Sequence, residues 1–143
     1  MRSWHDFHIT GYAVHGKRQE ICFDLEWPYD TPTDVKLARL HFQGVEAYFL
    51  EHDLGGSIVS SIDERPLRGF LEEWAEKFET ECKWGWPKFW RPKPYPARQL
   101  AVELEESFQR LTDIGIKCIE ISSSYGLSGW VLATETRQEI IAS

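Results

Sequence analysis

Apolar and polar residues alternate with a period of two through much of the first half of the chain. The clearest segment has apolar residues on one face and mostly polar residues on the other, as Ile21, Phe23, Leu25 and Trp27 alternate with Cys22, Asp24 and Glu26. Such alternation is typical of a β-strand with one buried face. Comparable segments, separated by Gly and Pro turn signals, run from Phe7 to Val14, Val35 to Gln43, Val45 to Glu51 and Ser57 to Asp63. The first half therefore predicts five short antiparallel strands.

The hydrophobic period changes to three or four residues after Pro66. This spacing predicts a helix whose buried stripe contains Leu67, Phe70, Leu71, Trp74, Phe78 and Cys82. Gly69 interrupts that helix, and we expect it to mark close packing against the sheet. A second apolar stripe predicts a helix from Ala97 to Thr112, and two last strands follow around Ile119–Ile121 and Trp130–Thr134.

The predicted elements indicate the α+β class. We expect an antiparallel meander sheet covered on one face by one or two helices. The strands do not alternate with helices, which argues against a doubly wound nucleotide-binding fold. With 143 residues, the chain has the length of a single domain, so we take residues 1–143 as one unit.

Composition and charge narrow the classes of function. The formal net charge is −7, which disfavours general binding to nucleic acid. No apolar run approaches the roughly 18 residues of a membrane span, and the N-terminus has no apolar signal segment. Three widely spaced cysteines suggest ordinary thiols in a reducing compartment rather than a disulfide framework. These features predict a cytoplasmic protein that acts neither on membranes nor on nucleic acid.

Residues 83–98, called the connector below, differ in composition from the rest. The connector holds five of the 16 basic residues, none of the 23 acidic ones, and four prolines. Prolines prevent a regular helix and stiffen the segment. Its five aromatic residues are Trp84, Trp86, Phe89, Trp90 and Tyr95.

Three interpretations of these aromatic residues remain open. The rings could fold back and close the end of the core, since each aromatic side chain buries a large apolar area. They could stay exposed, together with Arg91, as anchors for a protein partner, because Trp, Tyr and Arg are enriched in interface hot spots. They could also form a stacking platform for sugar rings or single-stranded nucleic acid, although the acidic remainder of the chain disfavours nucleic acid.

Carboxylates cluster on the predicted helices. The first helix carries an acidic face of Glu72, Glu73, Glu76, Glu79 and Glu81, and in the second helix Glu103, Glu106 and Arg110 are predicted to lie away from the apolar stripe. Such a face can simply be solvated. It can also attract a basic protein partner, since charge complementarity speeds encounter and enforces specificity.

No sequence motif indicates a catalytic or metal site. The chain contains no phosphate-binding loop, no HExxH pair, no dinucleotide fingerprint and no EF-hand loop. No base is recognisable beside any cysteine, as a catalytic thiol would require. We therefore predict no catalytic residue, no metal ligand and no cofactor.

The first half of the chain resembles small bacterial immunity proteins of polymorphic toxin systems. The resemblance rests on Trp4-His5-Asp6, on the strand Ile21–Trp27 and on the segment Leu40–Val45. It implies a compact cytoplasmic α+β protein that binds and blocks a toxin domain without turnover. The connector is not part of the resemblance.

The leading hypothesis is therefore a non-enzymatic protein that binds a basic toxin domain. The residues predicted to contact such a partner are Glu72, Glu73, Glu76, Trp84, Trp86, Trp90 and Arg91. The alternative is a small ligand-binding or hydrolytic domain with a pocket under the Trp-rich connector.

Overall fold

The computed structural model describes residues 1–92 and 96–143, with the side chains of residues 96–99 outside the description. It contains eight strands and two helices, joined in places by short 3₁₀ turns. The strands are β1 (His8–His15), β2 (Glu20–Glu26), β3 (Leu37–Gln43), β4 (Ala47–Glu51), β5 (Ile58–Arg65), β6 (Lys117–Tyr125), β7 (Ser128–Ala133) and β8 (Glu135–Ala142). The helices are α1 (Leu67–Glu81) and α2 (Pro96–Asp113), and a 3₁₀ turn (Cys82–Trp84) extends α1.

The eight strands form one antiparallel sheet with the order β4-β7-β6-β5-β1-β2-β3-β8. The predicted α+β class is confirmed. Two runs, β1-β2-β3 and β5-β6-β7, are neighbours both along the chain and in the sheet, as in a meander. Strands β4 and β8 instead reach the two edges by pairing with β7 and β3, which are not their sequence neighbours.

One hydrophobic core lies between the two halves of the sheet. Inward-facing side chains of β2 and β3 join those of β5, β6 and β7 in a single cluster. The cluster includes Ile21, Phe23, Leu25, Leu40, Phe42, Val59, Ile121 and Val131. Thr134 carries the chain from β7 to β8, and its N–H donates a 3.0 Å hydrogen bond to the carbonyl of Gln43 in β3. The sheet therefore folds over this core, and alternation in β2 predicts its buried face correctly.

A second core lies on the opposite face of β6 and β7, under the helices. Cys118 and Trp130 pack there against Phe70 and Phe78 of α1. The Trp130 ring meets Phe70 edge-on, with the two ring centroids 4.7 Å apart. Residues of β6 and β7 enter both cores, so β7 is apolar on both faces, whereas β6 carries Glu120 on the same face as Cys118.

Strand β8 was absent from the sequence prediction. It pairs with β3 along seven residue positions, yet none of its residues is buried. Its first five residues, Glu135 to Glu139, are all polar, so no alternation marks it as a strand. A charged edge strand of this kind also discourages pairing with other chains.

Two glycines make a matched test of this packing. A Cβ added at Gly129 would overlap the carbonyl oxygen of Phe49 in the neighbouring strand, whereas one added at Gly69 would meet no atom beyond its own helix within 4 Å. The expectation that Gly69 marks close packing is therefore wrong.

We expect Gly129→Ala to lower the free energy of unfolding by about 1–3 kcal/mol, because β4 and β7 must move apart. Gly69→Ala should raise it by up to about 1 kcal/mol, because alanine is the better helix former. Urea denaturation of both variants shows whether the free energy of unfolding falls in the first and rises in the second. Equal effects of the two substitutions would contradict the β4–β7 packing.

Candidate functional site

The first part of the connector closes the helical core. Trp90 is 1% exposed, and its indole N–H donates a 2.7 Å hydrogen bond to Oε2 of Glu79 on α1. Phe89 is also buried. Trp86 is half-buried, stacked on Trp130 with centroids 6.1 Å apart. Of the three interpretations left open by the sequence, core closure is the one that these three rings adopt.

A buried carboxylate on α2 holds this part of the connector in place. Glu103 is fully buried and accepts hydrogen bonds from the Ser107 hydroxyl at 2.7 Å and from the Arg91 backbone N–H at 3.1 Å. Arg110 donates to the same carboxylate at 2.6 Å and to the carbonyl of Phe89 at 2.7 Å. The prediction that Glu103 lies away from the buried side of its helix is therefore wrong.

Trp84 has a different environment from the other connector rings. Its side chain is 76% exposed, and the Lys83 ammonium lies 5.4 Å from the ring centroid. The Arg91 residue is also exposed, although its backbone N–H is bound to Glu103. Tyr95 and the side chain of Arg98 lie outside the described residues, so the predictions that involve them cannot be compared.

The acidic face lies on α1 and is only partly free of contacts. Glu72, Glu73 and Glu76 are all exposed. Glu73 forms an ion pair with Arg65 of β5, and Arg65 also lies 3.2 Å from Glu120 of β6. Glu79 accepts the hydrogen bond from the Trp90 indole N–H. The carboxylates that remain turned to solvent without an ion pair, among the residues that the structure describes, include Glu72 and Glu76.

A cleft of about 480 Å³ runs beside this face, between α1 and the edge of the sheet. Its apolar wall is formed by Phe49, Trp74 and Trp130, and its charged wall by Glu51, Arg65, Glu73, Lys77 and Glu120. Burial opposes the charge of Arg65, but the pairs with Glu73 and Glu120 outweigh it and raise the pKa of the guanidinium. The cleft thus combines aromatic surface with three carboxylates and two permanent cations.

Sequence reasoning missed this cleft because its residues come from five different elements. Arg65 ends β5, Glu120 lies in β6 and Glu73 in α1. Only the register of β5 against β6, in which Arg65 faces Cys118, brings Glu120 within reach.

A second cleft, of about 420 Å³, lies under the connector. Lys88, Arg91 and Arg110 line it together with Glu46 and Asp113. Of the connector rings, Phe89 lines this cleft, whereas Trp86 and Trp90 pack into the helical core. Among described residues, no three His, Cys, Asp or Glu side chains are grouped to hold a metal ion, and no described helix is long and apolar enough to cross a bilayer.

The Glu103 contacts generate a stability prediction. We expect Glu103→Gln to lower the free energy of unfolding by about 1.5–3 kcal/mol, because it weakens several hydrogen bonds to a buried charge. Tryptophan fluorescence during urea unfolding measures this change in stability. Glu72→Gln is the matched control on an exposed helix face and should change stability by less than about 0.5 kcal/mol. Equal effects of the two variants would show that the buried Glu103 contacts do not stabilise the fold.

Comparison with models of protein families, with curated proteins and with solved structures finds no match to this chain. Function therefore has to be inferred from the described side chains themselves.

Proposed function

We propose that this protein acts by binding another protein, as an immunity-type inhibitor of a basic toxin domain in the bacterial cytoplasm. The single observation that carries the proposal is Trp84, a tryptophan 76% exposed directly after a helix with an acidic outer face. Inhibition would work by steric cover and charge pairing, without turnover. A large exposed aromatic residue beside charged ones is the usual composition of an interface hot spot.

Charge supports a basic partner. Glu72 and Glu76 are exposed on α1, and the chain as a whole carries −7. The helix fixes the spacing of the two residues, so both carboxylates can face one partner, although each side chain loses rotamer freedom when it pairs. Complementary charge at such a face would speed encounter and exclude acidic competitors.

The cleft beside α1 offers a place for one side chain of the partner. Phe49 and Trp74 supply an apolar wall for the methylene groups of an inserted Lys or Arg, while Glu51 supplies a carboxylate for its cationic end. Glu73, on the same wall, is already paired with Arg65. Long basic side chains favour this division between an apolar stem and a charged tip. Trp86 and Trp90, which the sequence analysis also assigned to the interface, contribute indirectly by holding the connector that carries Arg91.

A second candidate function is the binding of a small ligand in the cleft under the connector. The observation that favours it is the pair of exposed cations, Lys88 and Arg91, at the mouth of a 420 Å³ space. A hydrolytic activity there would need a nucleophile or a water-activating base as well. We prefer the protein-binding proposal, because it accounts for the exposed Trp84 and for the exposed carboxylates of α1.

The test begins with affinity purification of the full chain from its native cell. Any protein captured in a one-to-one ratio with the chain is then purified. Calorimetric titration should then give a complex whose affinity falls as salt is raised. We expect the double variant Glu72→Lys/Glu76→Lys to weaken binding by about tenfold or more. Trp84→Ala should cost about 2 kcal/mol of binding free energy.

The matched control reverses two carboxylates elsewhere on the surface. Asp30 and Glu135 are both exposed, in the β2–β3 loop and on β8, so Asp30→Lys/Glu135→Lys makes the same change in net charge away from α1. This control should bind as the wild type does. The proposal fails if no protein is captured in equal proportion, or if the two double variants weaken binding equally.

A further inference from the structure

A cysteine, a histidine and a glutamate meet on the outer face of the sheet, away from α1 and the connector. The Cys22 thiol of β2 lies 3.2 Å from Nδ1 of His41 on β3. The other ring nitrogen of His41, Nε2, lies 3.0 Å from Oε1 of Glu139 on β8. Three neighbouring strands therefore align a thiol, an imidazole and a carboxylate in one row of hydrogen bonds.

The direction of the hydrogen bonds follows from the chemistry of the three groups. A carboxylate only accepts, so His41 donates its Nε2 proton to Glu139, and Nδ1 is left as the acceptor of the thiol proton. This is the arrangement of a nucleophile, a base and a group that orients the base. The hydrogen bond with His41 is the main cause of a lowered pKa at Glu139, so the carboxylate stays charged.

Burial and two neighbouring carboxylates keep the thiol protonated in the resting protein. Burial is the main cause that raises the pKa of Cys22, and Glu20 and Asp24 add to it, whereas Arg39 and Arg18 lower it. Arg137 lies directly opposite His41 and favours the charged form of Glu139. On the other side of β2, Cys22 faces Ala13 of β1, which carries no charge. Nucleophilic attack by this thiol therefore needs a base.

We propose that Cys22, His41 and Glu139 form a reactive-thiol site that takes up soft carbon electrophiles of the α,β-unsaturated carbonyl class. The sulfur attacks the β-carbon of the acceptor and forms the S–C bond. The thiol proton passes to Nδ1 of His41, and Glu139 stabilises the imidazolium. The electron pair of the C=C bond moves into the enolate, which then takes the proton back from His41 at the α-carbon.

This class of reaction fits the site better than acyl transfer does. Hydrolysis of an ester or amide needs N–H donors aimed at a developing oxyanion. Strand β2 is paired on both sides, by β1 and β3, and β3 is paired on both sides, by β2 and β8. Their backbone N–H groups are committed to the sheet, whereas the enolate formed by addition to an activated alkene spreads its charge over oxygen and the α-carbon and is neutralised by the proton that His41 carries.

The site is partly open to solvent, and the chain carries its own controls. The Cys22 residue is partly exposed, and the His41 side chain is 14% exposed. Cys82 and Cys118 are buried in the helical core, and burial raises the pKa of Cys118 to about 12. Reaction at these two thiols requires the core to open.

The test uses N-ethylmaleimide on the folded full chain, with the adduct at each cysteine measured by peptide mass spectrometry from pH 6 to 9. We expect labelling at Cys22 before Cys82 and Cys118. Its rate should rise less steeply with pH than that of a free thiol, because His41 accepts the thiol proton. His41→Gln should lower the rate at neutral pH by about tenfold or more and restore a rise of about tenfold per pH unit.

Two further variants separate reactivity from folding. Glu139→Gln keeps the shape of the side chain and should give a rate between those of the wild type and His41→Gln. His15→Gln removes an exposed histidine at the end of β1 and should leave the rate unchanged. The proposal is overturned if the wild-type rate rises throughout like that of a free thiol, or if His41→Gln reproduces the wild-type pH profile.

Discussion

The packing of other aromatic rings around Trp130 is the interaction on which the helical half of the structure depends. Trp130 lies in β7 and is buried, with the ring centroids of Phe70, Trp74 and Phe78 on α1 between 4.7 and 6.0 Å away. Trp86 of the connector stacks on the same ring. Both a helix and the connector thus pack against one side chain of the sheet. Its burial places the helix-facing side of β7 in the second core.

This arrangement creates an electrostatic requirement that α2 meets. When the connector docks, backbone groups near Phe89 and Arg91 leave water and need partners. The Glu103 carboxylate accepts from the Arg91 N–H, and the Arg110 guanidinium donates to the Phe89 carbonyl. Glu103 and Arg110 also form an ion pair with each other. A buried ion pair is seldom a net source of stability, because both charges lose their hydration. Its contribution here is to define one path for the connector.

The same docking separates two kinds of aromatic residue that look alike in the sequence. Trp84 and Trp90 both lie among basic residues and prolines, and composition treats them equally. Trp90 turns towards α1 and finds an acceptor in Glu79, whereas Trp84 sits in the 3₁₀ turn that extends α1 and stays in solvent. Trp84 is therefore the tryptophan of this part of the connector that offers its whole ring to a partner.

The clear periodicities predict elements well, and the weak ones do not. The alternation of Ile21, Phe23 and Leu25 and the stripe through Phe70 and Phe78 both correspond to buried faces of the predicted type. The sequence prediction missed strand β8, because an edge strand with solvent on both faces has no hydrophobic period. Glu103 was misassigned because a carboxylate is normally exposed, and its burial depends on the docked connector, whose Arg91 N–H it binds, together with Ser107 and Arg110 of its own helix.

Local chemistry in the sequence alone determined the secondary structure of most of the chain, the α+β class and the unusual character of the connector. These depend on residues a few positions apart, whose spacing decides which face of an element is apolar. The Cys22–His41–Glu139 row and the Arg65 cleft were decided only by the tertiary structure. His41 and Glu139 are 98 positions apart, and what brings them together is the pairing of β3 with β8, which no local pattern encodes.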